Sequence, residues 1–218
     1  MGRMQNYEYK TKPFKHQIQA LQRGAEAYNF AYFMEMGTGK TKVAIDNVCY
    51  LFQQKKINTV VVIAPNSVYR NWIDEIHLHA PLECHINTHK MDKKFVQDKT
   101  KLNFYLINVE AFSHQSGANI LKNIMNQYGK TMCTIVDEST TIKNRQAKRA
   151  KNVIQLCRQS AYKRILTGSP ITKSPLDLYS QCDFLKQGLL GFNNYFVFRA
   201  RYSVMKQIQV GGNKNVMI

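Results

Sequence analysis

The chain has 218 residues, 44% of them hydrophobic, enough to bury a sizeable core in one large domain. Thirty-one Lys and Arg against 14 Asp and Glu leave a net charge of +17, which disfavours an enzyme of neutral ligands and favours a polyanionic partner, most simply nucleic acid. The amino terminus lacks the apolar core of a signal peptide, "VVVIA" is far too short to span a bilayer, and the five cysteines show no C-x-x-C spacing, so a soluble protein of a reducing intracellular compartment is expected, with no membrane partner.

In chain order, short apolar runs alternate with longer amphipathic stretches. Strands are predicted at 31–35, 59–64, 104–109, 132–137 and 163–168, each short, rich in β-branched or aromatic residues and bounded by Gly, Pro, Asn or Asp. Helices are predicted at 40–54, 66–78, 116–128 and 144–159, with Val153, Leu156 and Cys157 tracing one face of the last. Such alternation implies an α/β fold with a mostly parallel sheet and helices on both faces. "ECHINTH" at 83–89, with His77 and His79 before it, gathers one Cys and four His, but no pair has zinc-finger spacing. The segment 191–218 is aromatic and basic and reads as a linker to something further.

Within this pattern, "MEMGTGKT" (34–41) follows a strand and opens a helix. Gly37 and Gly39 permit the close backbone approach that lets N–H groups converge on an anion. Val43, Ala44, Ile45, Val48 and Leu51 form the buried side of a helix whose amino end points its dipole at that anion. Thr38 lies between the glycines, Lys40 would reach the β- and γ-phosphates, and Thr41 would offer its hydroxyl to Mg²⁺. The strict phosphate-loop pattern wants glycine six positions before the lysine, where Met34 stands. "TIVDEST" (134–140) then puts Asp137 and Glu138 at the carboxyl end of a buried strand, the edge at which open α/β sheets bind ligands. Asp137 is expected to hold Mg²⁺ opposite Thr41, and Glu138 to orient or deprotonate water. The two segments together predict an ATP or GTP site.

These segments resemble the motifs of superfamily-two helicases and translocases, specifically the Swi/Snf-like branch. "TKPFKHQIQAL" (11–21) is similar to the glutamine motif, in which Gln17 would read the adenine edge; "MEMGTGKT" is similar to motif I. "APNSVYRNWIDEI" (64–76) resembles motif Ia, "INVEAFS" (107–113) motif Ib, "VDESTTIKNRQAKRAK" (136–151) motif II, and "LTGSPITKSPLDLYSQCDFL" (166–185) motif III with its following helix. Thr140 departs from the pattern, since a histidine is usual there.

The resemblance implies a RecA-like lobe over 1–190, with 191–218 leading toward a second lobe that carries arginines completing the ATP site. It implies ATP and Mg²⁺ as cofactors and DNA, double-stranded or branched, as partner. The rivals are an RNA-directed enzyme of the same superfamily and a basic module that binds nucleic acid without turnover. By the same resemblance, Asn66, Ser67, Arg70, Glu110, Thr167, Gly168 and Ser169 line the nucleic-acid groove. Between Glu138 and Asp177 there is no acidic residue but there are nine positive ones. Lys143, Arg145, Lys148 and Arg149 are read as part of a phosphate-facing stripe that continues through Lys151, Arg158, Lys163, Arg164 and Lys173. Trp72 is open between a core and a functional role.

Overall fold

The computed structural model describes residues 7–90 and 95–204, and the backbone of 207–210 and 214–217. The elements run α1 (Lys15–Gly24), β1 (Asn29–Phe33), α2 (Lys40–Gln53), β2 (Thr59–Ala64), α3 (Asn71–His79), β3 (Cys84–Thr88), β4 (Leu102–Asn108), α4 (Gln115–Tyr128), β5 (Met132–Asp137), α5 (Lys148–Leu156), β6 (Tyr162–Thr167), α6 (Asp177–Leu185) and α7 (Tyr195–Tyr202). A short antiparallel pair, β7 (Gln207–Val210) and β8 (Lys214–Met217), follows. Gly211-Gly212, a pair that favours a turn, and the first residues of the chain lie outside the described residues.

Strands β1 to β6 make one sheet in the order β1-β6-β5-β2-β4-β3, every neighbouring pair parallel. β2, β5 and β6 are buried along their whole length, as a sheet covered on both faces requires. Side chains alternate between two cores. Val60, Val62 and Ala64 of β2 join Leu21, Val48, Leu51, Trp72 and Ile76 under α1, α2 and α3. Val61 and Ile63 turn to the other side, against Leu121, Met125, Val153 and Phe184 of α4, α5 and α6. Each such wholly buried Val, Leu or Ile contributes about 1.5–3 kcal/mol of transfer free energy, so the two layers together fix the sheet.

The α/β expectation holds, with shifts at element ends. The stretch expected to be helical from 66 becomes helix only at Asn71, because 65–70 folds into turns in which Pro65 O accepts the N–H groups of Val68 and Tyr69. The helix expected over 144–159 is α5 at Lys148–Leu156, tightening into a 3-10 turn at Cys157–Gln159. Val153 and Cys157 are wholly buried and Leu156 half-buried on it. The Cys/His-rich segment forms an edge strand, β3, paired with β4. His79 of that group meets Thr11 and Glu75. Among the described residues no helix is long and apolar enough to cross a membrane.

Because all six strands point the same way, the segments leaving β1, β2, β4, β5 and β6 emerge at one edge of the sheet. Phe33, at the end of β1, pairs with Thr167, and Leu166 pairs with Asp137 at the end of β5. The glycine loop and the Asp137–Glu138 pair are therefore two strand spacings apart, about 10 Å, with the end of β6 between them.

Candidate nucleotide site

The loop at 34–39 turns on Gly37 and Gly39, with φ of 76° and 79°, conformations that cost an L side chain about 1–2 kcal/mol. A β-carbon at Gly39 would also lie 2.3 Å from Gln17 Nε2. Thr38 N–H and its hydroxyl both donate to Glu35 O, and Lys40 Nζ donates to the same oxygen at 3.2 Å. The loop thus closes on one carbonyl, which holds the lysine head beside the glycines. Gln17, 5% exposed, clamps the loop from α1. Its Oε1 accepts Phe14 N–H at 2.9 Å and its Nε2 donates to Thr38 O at 3.0 Å. His16 Nε2 meets the same carbonyl. From Lys40 onward α2 is buried on nearly every side as far as Leu51, more than a one-faced helix would be. Thr41 is half-buried in its first turn.

Asp137 ends β5 at 4% exposure. Its Oδ2 accepts the indole N–H of Trp72 at 2.9 Å, and its Oδ1 accepts Glu138 N–H, also at 2.9 Å. Burial pushes this carboxyl above its usual range, while the two donors and the nearby Lys40 charge pull it back. A buried carboxylate held by two neutral N–H groups, with a threonine hydroxyl across the edge, is a hard-oxygen donor set that suits Mg²⁺.

Glu138 adopts φ 46° and ψ 61°, a left-handed conformation worth about 1–3 kcal/mol of strain in a non-glycine residue. It places Oε2 at 3.5 Å from the Thr167 hydroxyl, and Thr167 Oγ1 in turn accepts Ser169 N–H at 3.2 Å. Gly168 passes so near the glycine loop that a β-carbon there would stand 3.2 Å from Met36 N. The loop, the acidic pair and the segment after β6 therefore touch in series. Beside the Glu138–Thr167 contact, Ser139 donates to Gln181 Oε1 of α6 at 2.6 Å, and Gln181 Nε2 donates to Pro170 O.

The residues expected on the nucleic-acid side are more dispersed. Asn66, Ser67 and Arg70 are exposed on the loop after β2, Asn66 accepting from Lys90 Nζ at 2.9 Å. Glu110 is exposed after β4, its carboxylate accepting from Asn108; the sign of its charge opposes a phosphate. Ser169 is exposed, whereas Thr167 is buried.

The basic stripe is narrower than its sequence implied. Lys143 pairs with Asp177 at 3.4 Å and reaches Thr172, so an acid just outside the uncompensated window closes it. Arg145 stacks its guanidinium 4.5 Å from the centre of the Tyr195 ring, fastening α7 to the motif II segment. Arg149 Nε donates to Thr141 O. Lys163 and Arg164 sit on β6, where both faces are covered, and are buried. Lys148, Lys151, Arg158 and Lys173 remain exposed. Trp72, left undecided between core and function, is wholly buried and also bonds a proposed metal ligand. The only sequence signal for that second role is chemical: a buried indole N–H has to find an acceptor.

Comparison with known proteins bears on the family and the fold. Residues 17–213 match the family described as SNF2-related domain. The chain is 30% identical over 180 residues to the chromatin-remodeling ATPase INO80 of Saccharomyces cerevisiae, covering 74% of this chain and 12% of that protein. It is 27% identical over 173 residues to the human helicase-like transcription factor, covering 73% of this chain and 16% of that protein. Among solved structures, the Sulfolobus solfataricus SWI2/SNF2 ATPase core in complex with double-stranded DNA superposes with a TM-score of 0.76 at 26% identity, covering 92% of this chain and 41% of that one. The chain thus spans a small part of these relatives' length and less than half of the solved core. With a six-stranded parallel sheet, a two-glycine loop and an Asp-Glu pair on one edge, and a family match over most of its length, this chain belongs to the SNF2-related domain family.

Proposed function

We propose that this chain is the first, ATP-binding RecA-like lobe of a motor that hydrolyses ATP to move along, or remodel, double-stranded or branched DNA inside the cell. The observation that carries the reading is the contact series along one sheet edge: the Gly37–Gly39 loop against Gly168, and Thr167 against Glu138. It gives a phosphate cradle and a candidate base a common boundary.

In this reading Gln17 recognises adenine, while Gly37, Thr38 and Gly39 present backbone N–H groups to the phosphates. Lys40 releases Glu35 O to neutralise the β- and γ-phosphates. Thr41 and Asp137 would hold Mg²⁺, which supplies Lewis-acid neutralisation of charge on the phosphoryl oxygens. Glu138 is pre-aimed by its left-handed backbone, and its carboxylate orients the attacking water and takes its proton. The hydroxyl of Thr167 holds that carboxylate and senses its protonation, passing the state of the site to Gly168 and Ser169. Asn66, Ser67, Arg70 and Lys148 contact DNA phosphates, which position a duplex without reading its bases. Lys143, Arg145 and Arg149 act one step behind, shaping the groove through Asp177, Tyr195 and Thr141. A second lobe of the complete motor, expected from the resemblance over 191–218, would supply the arginines that speed phosphoryl transfer.

The test is ATP hydrolysis by the complete protein with duplex DNA, single-stranded DNA or RNA added. Duplex stimulation that Lys40→Ala abolishes is expected. Stimulation by RNA alone would redirect the substrate assignment, and Lys40→Ala turnover equal to the native protein would refute the site.

A further inference from the structure

Trp72 is the only tryptophan of the chain. It lies in the first turn of α3, wholly buried among Val43, Ile76 and their neighbours. Filling that space needs only an apolar ring. The indole, however, spends its N–H on a carboxylate 65 positions away, Oδ2 of Asp137, at 2.9 Å. Glu138 N–H takes Oδ1. Two donors, one on each oxygen, fix both the rotation and the tilt of the carboxylate plane. Each oxygen keeps a further lone pair for a cation. The Glu138 donor is local and follows β5 wherever it goes. The Trp72 donor comes from another element and anchors the carboxylate to the α3 layer.

We propose that Trp72 is a positioning residue for magnesium: its indole N–H holds Asp137 in the orientation that receives the ion. The proposal rests on the reading of Asp137 as a metal ligand. Partners of this kind, which orient a ligand without touching the metal, change metal affinity by about 10–100-fold when lost. A tryptophan that served the core alone would be replaceable by an isostere at no cost to Mg²⁺ binding.

The experiment replaces Trp72 with 3-benzothienylalanine, which keeps the bicyclic shape and exchanges N–H for sulfur, and in parallel with Phe. ATP binding is followed by equilibrium dialysis at stepped Mg²⁺, with Asp137→Asn as the control. The expected result is a rise of about tenfold or more in the Mg²⁺ concentration for half-maximal ATP binding in both Trp72 variants. The isostere should keep the native melting temperature. Half-saturation within twofold of native in the isostere, while Asp137→Asn shifts it, would overturn the proposal and leave the metal reading standing. No shift in Asp137→Asn would overturn both.

Discussion

Replacing Arg164 with Met tests whether the basic composition of this chain is all addressed to a partner. Arg164 is wholly buried. Its guanidinium donates to Asn47 Oδ1 at 2.8 Å, Lys163 O at 2.9 Å, Gly24 O at 3.1 Å and Tyr28 O at 3.2 Å. These bonds tie β6 to α2 and to the end of α1. Tyr28 O keeps a second donor, Lys163 N, and Gly24 O keeps Ala27 N, so truncation leaves chiefly Asn47 Oδ1 short of a partner. A buried acceptor left unpaired costs about 1–3 kcal/mol. The Met side chain refills most of the apolar stem, and the net loss should be about 1–3 kcal/mol, the cost of the one buried acceptor left bare. For a domain of this size each kcal/mol lowers the melting temperature by about 2–4 °C, so a fall of roughly 2–12 °C is expected. Lys148→Met removes the same unit of charge from an exposed position and should change stability by less than about 0.5 kcal/mol, while weakening DNA binding in low salt. Chemical denaturation of both variants, with DNA binding measured below each melting temperature, separates the two roles. A stability loss within about 0.5 kcal/mol for Arg164→Met would refute the reasoning, because the buried guanidinium would then hold nothing that matters.

Gly39→Ala meets both a φ of 79° and the Gln17 amide 2.3 Å from its new carbon; ATP affinity should fall at least tenfold, and an affinity within about threefold of native would remove the glycine loop from the phosphate site. Glu138→Gln should leave ATP binding within about threefold of native and reduce turnover of the complete protein by about 10²–10⁴; unchanged turnover would remove Glu138 from its role. Asp177 is opposed by burial but outvoted by the Lys173 and Thr172 donors and by Lys143, which together hold its carboxyl well below the usual range. A depressed folded value means that its contribution is present above the unfolded pKa of about 4 and is lost as pH falls through the folded one. The melting-temperature gap between native and Asp177→Asn should therefore be largest near neutrality and shrink below about pH 4, whereas a gap constant down to pH 3 would contradict the sign. The 218-residue chain by itself should hydrolyse ATP slowly, and rapid steady-state turnover by it would show that no further arginines are needed.

The layered α/β arrangement was legible because the signals were local and periodic. β2 and β5 fall where their β-branched runs lie, and α2 opens at Lys40 once Gly39 has turned the chain. The glycine loop and the acidic pair could be placed on one edge because parallel strands leave no other side for them. β3 was harder to read: "CHINT" has one strongly apolar residue and the look of a metal-binding tract, and only pairing with β4 makes it a strand. The helix expected from 66 started late because Pro65 organises its own turns before Asn71. The basic stripe misled in part because charge counting cannot distinguish a lysine facing solvent from an arginine inside a sheet. Arg164 and Arg145 found neutral carbonyls and an aromatic ring as partners, and neither adds a negative charge to the tally. Trp72 to Asp137 is a tertiary contact between the first turn of α3 and the end of β5, with no periodicity to announce it.

β5 is gripped on both flanks, Val136 against Ile63 and Asp137 against Leu166. Adding or deleting one residue in that strand would swap every inward and outward side chain and carry the acidic pair to the wrong layer. An added residue is therefore better tolerated in a connection between strands than in β5. Extra length can be carried at the rim of the sheet, where no register has to be kept.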